Sequence, residues 1–296
     1  MAHPPADTPP TSRLLPDLRQ IAQDIWDFRE LLTQLAKRDI KIRYKQAVMG
    51  FGWALFMPIL IVLAGLVIRL ALSYAGGIAI DRADAGALAL KGLCWSFFVG
   101  TIGFATASLT ANMNLVTKIY FPREVLPLSS LVAQAFDSAI AGVVVLAALP
   151  FLGLTLSPGL LWLPVLLLLL ICLTAGASLF LSCANLFFRD VKYLVQVLLT
   201  FGVFFTPVLF EASVLGATGA QLLMLNPLAP ILEGLRLSVI EGHSLLAPIM
   251  ETSGRGTPVT VWEPWYLAYA ALWALGGLTA SAVLFHRAES AFAEFV

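Results

Sequence analysis

Asp137 is the side chain whose type and setting point most directly to chemistry. It lies within the long apolar segment Leu126–Leu149, where an ionisable group is costly to bury and is often part of a proton relay. Gln134 and Ser138 lie close to it along the chain and can hydrogen-bond its carboxyl group. We therefore interpret Asp137 as a helix-packing residue and keep proton transfer as the alternative.

Motifs for other chemistry are missing from the sequence. The phosphate-binding pattern G-x-x-x-x-G-K-[ST] does not occur, so no ATPase of that type lies within this chain. His3, His243 and His286 are far apart, and no Cys/His spacing typical of a metal site is found. No nucleophile stands next to a base. The sequence therefore predicts no catalytic residue, no metal site and no cofactor in this chain.

Composition indicates the class of protein. The chain is 59% hydrophobic and only 12% charged, with a mean hydropathy of +0.87, whereas soluble domains carry about a quarter charged residues. Its net charge of zero gives no case for binding nucleic acid. Because a span needs about 20 apolar residues, we predict an all-α polytopic membrane protein with six transmembrane helices. The predicted spans are Phe51–Tyr74, Leu93–Met113, Leu126–Leu149, Leu160–Ala184, Tyr193–Phe210 and Trp265–Phe285.

The distribution of Lys and Arg predicts the orientation. Six spans put both termini on one face, where thirteen Lys and Arg residues would lie, against four on the opposite face. The positive-inside rule then places both termini in the cytoplasm and the protein in the cytoplasmic (inner) membrane. We predict that residues 1–28 form a disordered cytosolic tail and that residues 287–296 form a short cytosolic tail.

Residues 29–50 have the pattern of an amphipathic helix. Positions four apart form an apolar row that includes Leu32, Ala36 and Ile40, and cations run beside it. Such a pattern predicts a helix lying in the membrane interface, against anionic lipid headgroups. The alternative is a basic segment that only fixes the topology. The candidate interface residues are Lys37, Arg38, Lys41, Arg43, Tyr44 and Lys45.

A polar run over residues 114–126 separates the second and third predicted spans. It is charged and aromatic, so it is poorly suited to burial in lipid and well suited to docking against a soluble partner. The candidate contact residues are Lys118, Ile119, Tyr120, Phe121, Pro122, Arg123 and Glu124.

The region of residues 211–262 is predicted to carry short re-entrant or interfacial helices on the external face. Its apolar pieces are interrupted at Asn226, Pro227, Glu233 and Arg236, and none is long enough to cross. Aromatic residues precede it in the fifth predicted span and at its exit. We interpret them as lipid-facing anchors, with a surface for stacking sugar rings as the alternative. The candidate residues of the external gate or channel are Asn226, Pro227, Glu233 and Arg236 together with the aromatic residues Phe201, Phe204, Phe205 and Phe210.

Four blocks in order along the chain resemble the permeases of type-2 ABC exporters, in particular those that export O-antigen polysaccharide and teichoic acid. The blocks are residues 38–58 (RDIKIRYKQAVMGFGWALFMP), 114–127 (NLVTKIYFPREVLP), 185–193 (NLFFRDVKY) and 226–236 (NPLAPILEGLR). The resemblance implies that residues 51–286 are a six-helix transmembrane domain that forms a homodimer. It also implies two separate ATPase subunits, which would bind ATP and Mg²⁺ and contact Lys118–Glu124, and an external gate around Asn226–Arg236.

The resemblance favours an undecaprenyl-diphosphate-linked glycan of the O-antigen type as substrate. Capsule and teichoic acid export remain alternatives. Two other classes also stay open. An ion-coupled flippase or secondary transporter would use Asp137, and a membrane-embedded glycan-modifying enzyme would need paired carboxylates or a histidine near the membrane.

Overall fold

The computed structural model describes residues 14–45, 50, 52–76, 81–118, 121–152, 157–252, 258–289 and 292. Apart from one small hairpin, its regular elements are helical. The helices are α1 (Leu14–Asp27), α2 (Arg29–Tyr44), α3 (Gly52–Gly76), α4 (Arg82–Ala111), α5 (Met113–Lys118), α6 (Val125–Ala148), α7 (Trp162–Phe187), α8 (Val191–Gly202), α9 (Gly216–Leu223), α10 (Leu228–Leu235), α11 (Trp265–Ala271) and α12 (Gly277–Ala288). A π-helical turn over Leu272–Gly276 joins α11 to α12 in one continuous rod, and another over Arg236–Ile240 extends α10.

Five helical segments in the described part of the chain are long and apolar enough to cross a membrane. They are Gly52–Ala71, Arg82–Ala111, Val125–Phe151, Pro158–Phe187 and Trp265–Ala288. The all-helical membrane architecture is therefore confirmed. Helix α4 begins earlier than predicted, so Arg82 and Lys91 belong to the helix and not to a preceding loop.

The structure differs from the prediction at the fifth segment. Instead of one helix over Tyr193–Phe210, α8 continues only as a 3₁₀ turn to Phe205, and Thr206–Phe210 is irregular. The helical part, Val191–Phe205, is about 22 Å long, whereas the hydrocarbon core is about 30 Å thick.

The fifth segment nevertheless runs the length of α4. Near its start, the Lys192 backbone N–H donates to Asn185 (3.1 Å), whose side chain contacts Thr110 of α4 (3.4 Å). At its end, Lys91 Nζ donates to the carbonyl oxygen of Phe210 (3.2 Å). Lys91 and Thr110 are about 28 Å apart along the helix, so the segment spans that distance with a helical first part and an irregular second part.

The first and last described helices meet at one end of the bundle, which we call the terminal end. It comprises α1, α2, α5, the turn Phe121–Glu124 and the last turn of α12. Arg287 pairs with Asp17 there at 2.9 Å. The prediction of a disordered tail up to residue 28 is wrong for residues 14–27, because they form α1. Ile21 of that helix is buried in an apolar cluster with Leu35 of α2 and Phe285 of α12, which gives the segment a reason to fold.

The opposite end, the cap end, holds α9, α10 and an antiparallel hairpin of β1 (Ile249–Thr252) and β2 (Pro258–Trp262). The hairpin is an addition to the predicted short helices. Alternate residues Val259 and Val261 are buried, and so is Trp262, whose indole N–H donates to the carbonyl oxygen of Leu245 (2.9 Å). The hairpin therefore contributes to the main apolar core, which also contains the residues of α10.

Charged side chains form a connected network in the cap end. Arg236 contacts Glu233 (2.5 Å), Glu241 and Glu251, and lies 3.9 Å from Glu211. The network continues through two cations of the long helices. Arg69 of α3 pairs with Asp84 and with Glu211 (2.8 Å), and Lys91 of α4 lies 3.7 Å from Glu233.

Carboxylates outnumber cations in this network by five to three among the described residues. Burial raises the pKa of Glu241 from about 4.5 to about 7; Arg236 opposes the shift, and Glu251, Glu233 and Glu211 add to it. His243 lies 3.6 Å from the same carboxyl group. Burial would also raise the pKa of Glu211, but Arg236, Arg69 and Lys91 outweigh it and lower that pKa.

A close approach of two backbones fixes how α7 packs on the last span. A Cβ atom at Gly176 would lie 2.9 Å from the backbone N and Cα atoms of Leu278. Because those are backbone atoms, they cannot rotate away as a flexible side chain can. Glycine at 176 is therefore required by packing.

We expect Gly176→Ala to lower the free energy of unfolding by about 1–3 kcal/mol, since the added methyl group forces the two helices apart. Thermal unfolding of the purified chain measures this. Gly103→Ala in α4 is the matched control, because a Cβ atom there meets nothing within 4 Å. Equal stability of the two variants would contradict the close approach.

We also expect the cap end to lose stability as the pH rises. Because the pKa of Glu241 is higher in the folded chain than in the unfolded chain, the folded chain binds more protons between about pH 4.5 and 7. Its free energy of unfolding then falls through that window, on the order of 1 kcal/mol for this group. Glu241→Gln should flatten this part of the pH profile, and the exposed Glu30→Gln should not. Identical slopes for both variants would count against it.

Candidate functional site

The described residues of the predicted contact segment lie at the terminal end: Lys118 is the last residue of α5, and Phe121–Glu124 form the turn before α6. Lys118 is exposed, and Pro122 and Arg123 are half-buried. Phe121 and Glu124 are buried, which corrects their prediction as contact residues. Ile119 and Tyr120 lie outside the described residues. The accessible surface, which we call the terminal patch, consists of Asn114, Thr117, Lys118, Pro122 and Arg123.

The terminal patch is held by the end of the last span. Arg123 Nη1 donates to the carbonyl oxygen of Glu289 (2.8 Å), and its guanidinium group lies 5.6 Å from the centre of the Phe292 ring. Phe292 packs edge-on against Phe285 in the apolar cluster that also buries Phe121. The Arg123 side of the patch is therefore held against the end of α12.

Three potential metal ligands meet beside the patch: Glu124, His286 and Glu289. One ligand atom from each lies within 4.8 Å of the others. Burial raises the pKa of Glu124, and the nearby Glu289 carboxylate adds to the shift, while His286 acts against it. The sequence does not reveal this group, because Glu124 is remote from His286 and Glu289 along the chain and the three residues match no Cys/His spacing.

Helix α2 lies along α6, as an amphipathic helix should. Leu35 and Ala36 are buried, and Lys37, Lys41 and Lys45 form an exposed row on another face. The rest of the predicted cationic surface is engaged within the chain. Arg38 pairs with the neighbouring Asp39 at 2.9 Å, and Arg43 points inward.

Arg43 and Tyr44 join α2 to the buried Asp137 of α6. Arg43 Nη1 contacts an Asp137 oxygen and also donates to Gln134 Oε1 (3.0 Å), while Tyr44 Oη donates to the other Asp137 oxygen (2.6 Å). The guanidinium group also lies 4.2 Å from the centre of the Phe104 ring. Burial, followed by the hydrogen bond to Asp137, raises the pKa of Tyr44. Gln134 is thus near Asp137, as predicted. The contact between Asp137 and Arg43 is not predicted from the sequence.

Two clefts meet at Arg43 and Phe104. One, of about 490 Å³, lies between α2 and α4 and includes Arg38 and Asn112. The other, also about 490 Å³, opens among α3, α4, α6 and α8 and is bordered by Trp53. The Arg43 side chain, which α2 carries, therefore lies between two largely apolar clefts.

The predicted gate residues fall into two groups. Glu233 and Arg236 are fully buried in the ion network, so their prediction as lining of an open path is corrected within this protomer. Pro227 is half-buried at the start of α10, and Asn226 is structural: its Nδ2 donates to the carbonyl oxygen of Phe205 (3.1 Å).

The predicted aromatic residues are largely accessible. Phe201, Phe204 and Phe205 are 58–71% exposed on α8 and the turn after it, and Phe210 is half-buried. Within the part of the chain that the structure describes, the rings of Phe201, Phe204 and Phe205 form an accessible apolar face.

Comparison with known proteins gives a consistent result. The family model described as ABC-2 type transporter matches residues 30–240. The O-antigen export system permease protein RfbA of Klebsiella pneumoniae is 26% identical over 206 residues, which cover 69% of this chain and 77% of that protein. The protein of the same name from Myxococcus xanthus is 26% identical over 220 residues, covering 72% and 81%. Since the match includes the terminal patch, α2 and α10, this multi-pass membrane chain belongs to the ABC-2 type transporter family, as a transport subunit without an ATPase of its own.

Proposed function

We propose that this chain is the membrane subunit of an ATP-driven exporter that moves a lipid-linked, O-antigen-type glycan across the cytoplasmic membrane, with both termini in the cytoplasm. The observation that carries the proposal is the similarity to O-antigen export permeases over most of both chains. Family membership implies an ABC ATPase partner, and we take two copies of each subunit as the assembly.

The geometry of α2 supports an anionic lipid-linked substrate. The exposed row of Lys37, Lys41 and Lys45 offers cations at the rim of the bundle, and such a surface attracts diphosphate groups as well as anionic lipids. Arg43 stands behind that row at the junction of the two clefts. A diphosphate at the rim would leave its lipid chain in the apolar space and its glycan free to enter the transport path.

The exposed rings of α8 support a path between two copies of the chain. Phe201, Phe204 and Phe205 have no partner among the described residues that covers them. In a homodimer they would either meet the second copy or line the space between copies, where aromatic faces stack on sugar rings. Capsule or teichoic acid would be handled by the same features, so these substrates remain the alternatives.

The ion-coupled alternative is weakened by the surroundings of Asp137. A proton relay requires a carboxyl group that can gain and lose its proton during transport. Asp137 instead contacts the Arg43 guanidinium group and accepts a hydrogen bond from Tyr44, which gives it a structural role.

We expect Lys118→Glu to weaken association with the ATPase subunit about 5- to 30-fold, and to reduce surface display of the glycan, because the terminal patch would repel its partner. Co-purification with the partner nucleotide-binding subunit measures the first effect, and staining of surface glycan in cells lacking the native chain measures the second. Arg82→Glu is the control, since it reverses an exposed charge at the opposite end of α4. Unchanged association and export in Lys118→Glu would refute the assigned docking surface.

We expect Asp137→Leu to cost about 3–5 kcal/mol of stability, because it leaves the Arg43 guanidinium group without its carboxylate. The double variant Arg43→Met/Asp137→Leu should recover most of that loss, since an apolar pair can replace a buried ion pair. Thermal unfolding compares the two. An Asp137→Leu variant that unfolds like the parent and loses only transport would favour the ion-coupled transporter.

A further inference from the structure

Glu124, His286 and Glu289 converge at the terminal end from two separate elements. Glu124 immediately precedes α6, while His286 and Glu289 lie three residues apart at the end of α12 and so share a helix face. His286 Nδ1 is 3.5 Å from Glu124 Oε1, and the ligand atoms of all three residues lie within 4.8 Å of one another. Small side-chain rotations would bring one nitrogen and two carboxylate oxygens around a single ion.

The burial of Glu124 is the observation that indicates a ligand. Its side chain is only 3% exposed, and neither carboxylate oxygen accepts a hydrogen bond within the part of the chain that the structure describes. A buried carboxylate without such bonds is costly, so native structures supply a proton, a cation or a water. Its position beside an imidazole nitrogen and a second carboxylate makes a cation a well-matched choice.

We propose that Glu124, His286 and Glu289 form a binding site for one Zn²⁺ ion per chain. One imidazole nitrogen with carboxylate oxygens is a ligand set that Zn²⁺ accepts, and three protein ligands leave the fourth tetrahedral position for water. Glu289 Oε1 also accepts the backbone N–H of Arg123 (3.4 Å), but a carboxylate has a second oxygen and further lone pairs with which to bind an ion.

The partly exposed side chains of His286 and Glu289 give the ion a path from solvent to the site. Glu124 is sealed at the bottom of the site, whereas the side chains of His286 and Glu289 are 21% and 25% exposed.

A bound ion would join the start of α6 to the end of α12. Because Arg123 rests on the same turn of α12, the ion would tighten the support of the terminal patch. The proposed site does not depend on the transported substrate, so its test is separate from that of the export function.

The test uses the full-length chain, purified in detergent and freed of metal with a chelator. Calorimetry then measures its equilibrium binding of Zn²⁺. We expect one saturable site per chain, a rise in unfolding temperature with Zn²⁺, and binding weakened about tenfold or more in His286→Gln. His243→Gln is the matched control, because His243 also lies near a glutamate, 3.6 Å from Glu241, but has a single carboxylate contact of this kind. Mg²⁺ should not compete, since it prefers octahedral oxygen ligands.

Two results would overturn the proposal: no saturable Zn²⁺ binding to the parent chain, or equal binding by His286→Gln and the parent. Glu289→Gln provides a second variant at the more exposed side of the site, should His286→Gln fail to fold. Metal-free unfolding temperatures show whether each variant is folded. Co²⁺ substitution gives an independent readout, because a visible absorption band that persists in both variants would place the ion elsewhere.

Discussion

The cap end depends on the ion pairs that the guanidinium group of Arg236 makes with three carboxylates. It contacts Glu233, Glu241 and Glu251 and is itself buried, so its charge is compensated only while those carboxylates stay in place. Such pairs add little net stability compared with an apolar core, but removal of one partner is expensive. The cap combines a π-helical turn, short helices and a hairpin, and Arg236 links three of its segments through Glu233, Glu241 and Glu251.

The same constraint organises the terminal end with different residues. Arg43 ties α2 to Asp137 in the middle of α6, and Arg123 ties the turn before α6 to Glu289 at the end of α12. Helices α2 and α12 are thus both fixed to α6. A force applied at the Arg123 side of the terminal patch would reach α6 and α12 together.

The sequence predicts the long helices well, because a run of about 20 apolar residues has few other folds available in a membrane. It also predicts α2 from the four-residue spacing of its apolar row. The partners of its charges could not be predicted: Arg43 and Asp137 are far apart along the chain, and a lone aspartate in an apolar segment looks the same whether it is paired or titrating. Glu233 and Arg236 are predicted as gate residues for the same reason, because the partners Glu251 and Lys91 are not evident from the sequence.

Shorter elements were harder to predict. Residues 14–27 look polar enough for a tail, and their helix depends on Ile21 finding the cluster around Phe285. The apolar residues Val259 and Val261 alternate with polar or exposed residues, as in a strand. The two strands are only four and five residues long, and one begins at Pro258, so the pattern is too short to predict a hairpin. The metal-ligand group at Glu124 needed three-dimensional proximity between residues that no local pattern connects.

The irregular second part of the segment formed by residues 191–210 has a consequence for the order in which the chain matures. Helical segments satisfy their own peptide groups as they form, but the carbonyl oxygens of Phe205 and Phe210 accept hydrogen bonds from Asn226 and Lys91. Asn226 is synthesised after the carbonyl group to which it donates. We therefore expect the irregular part to reach its final arrangement only after residue 226 has been translated.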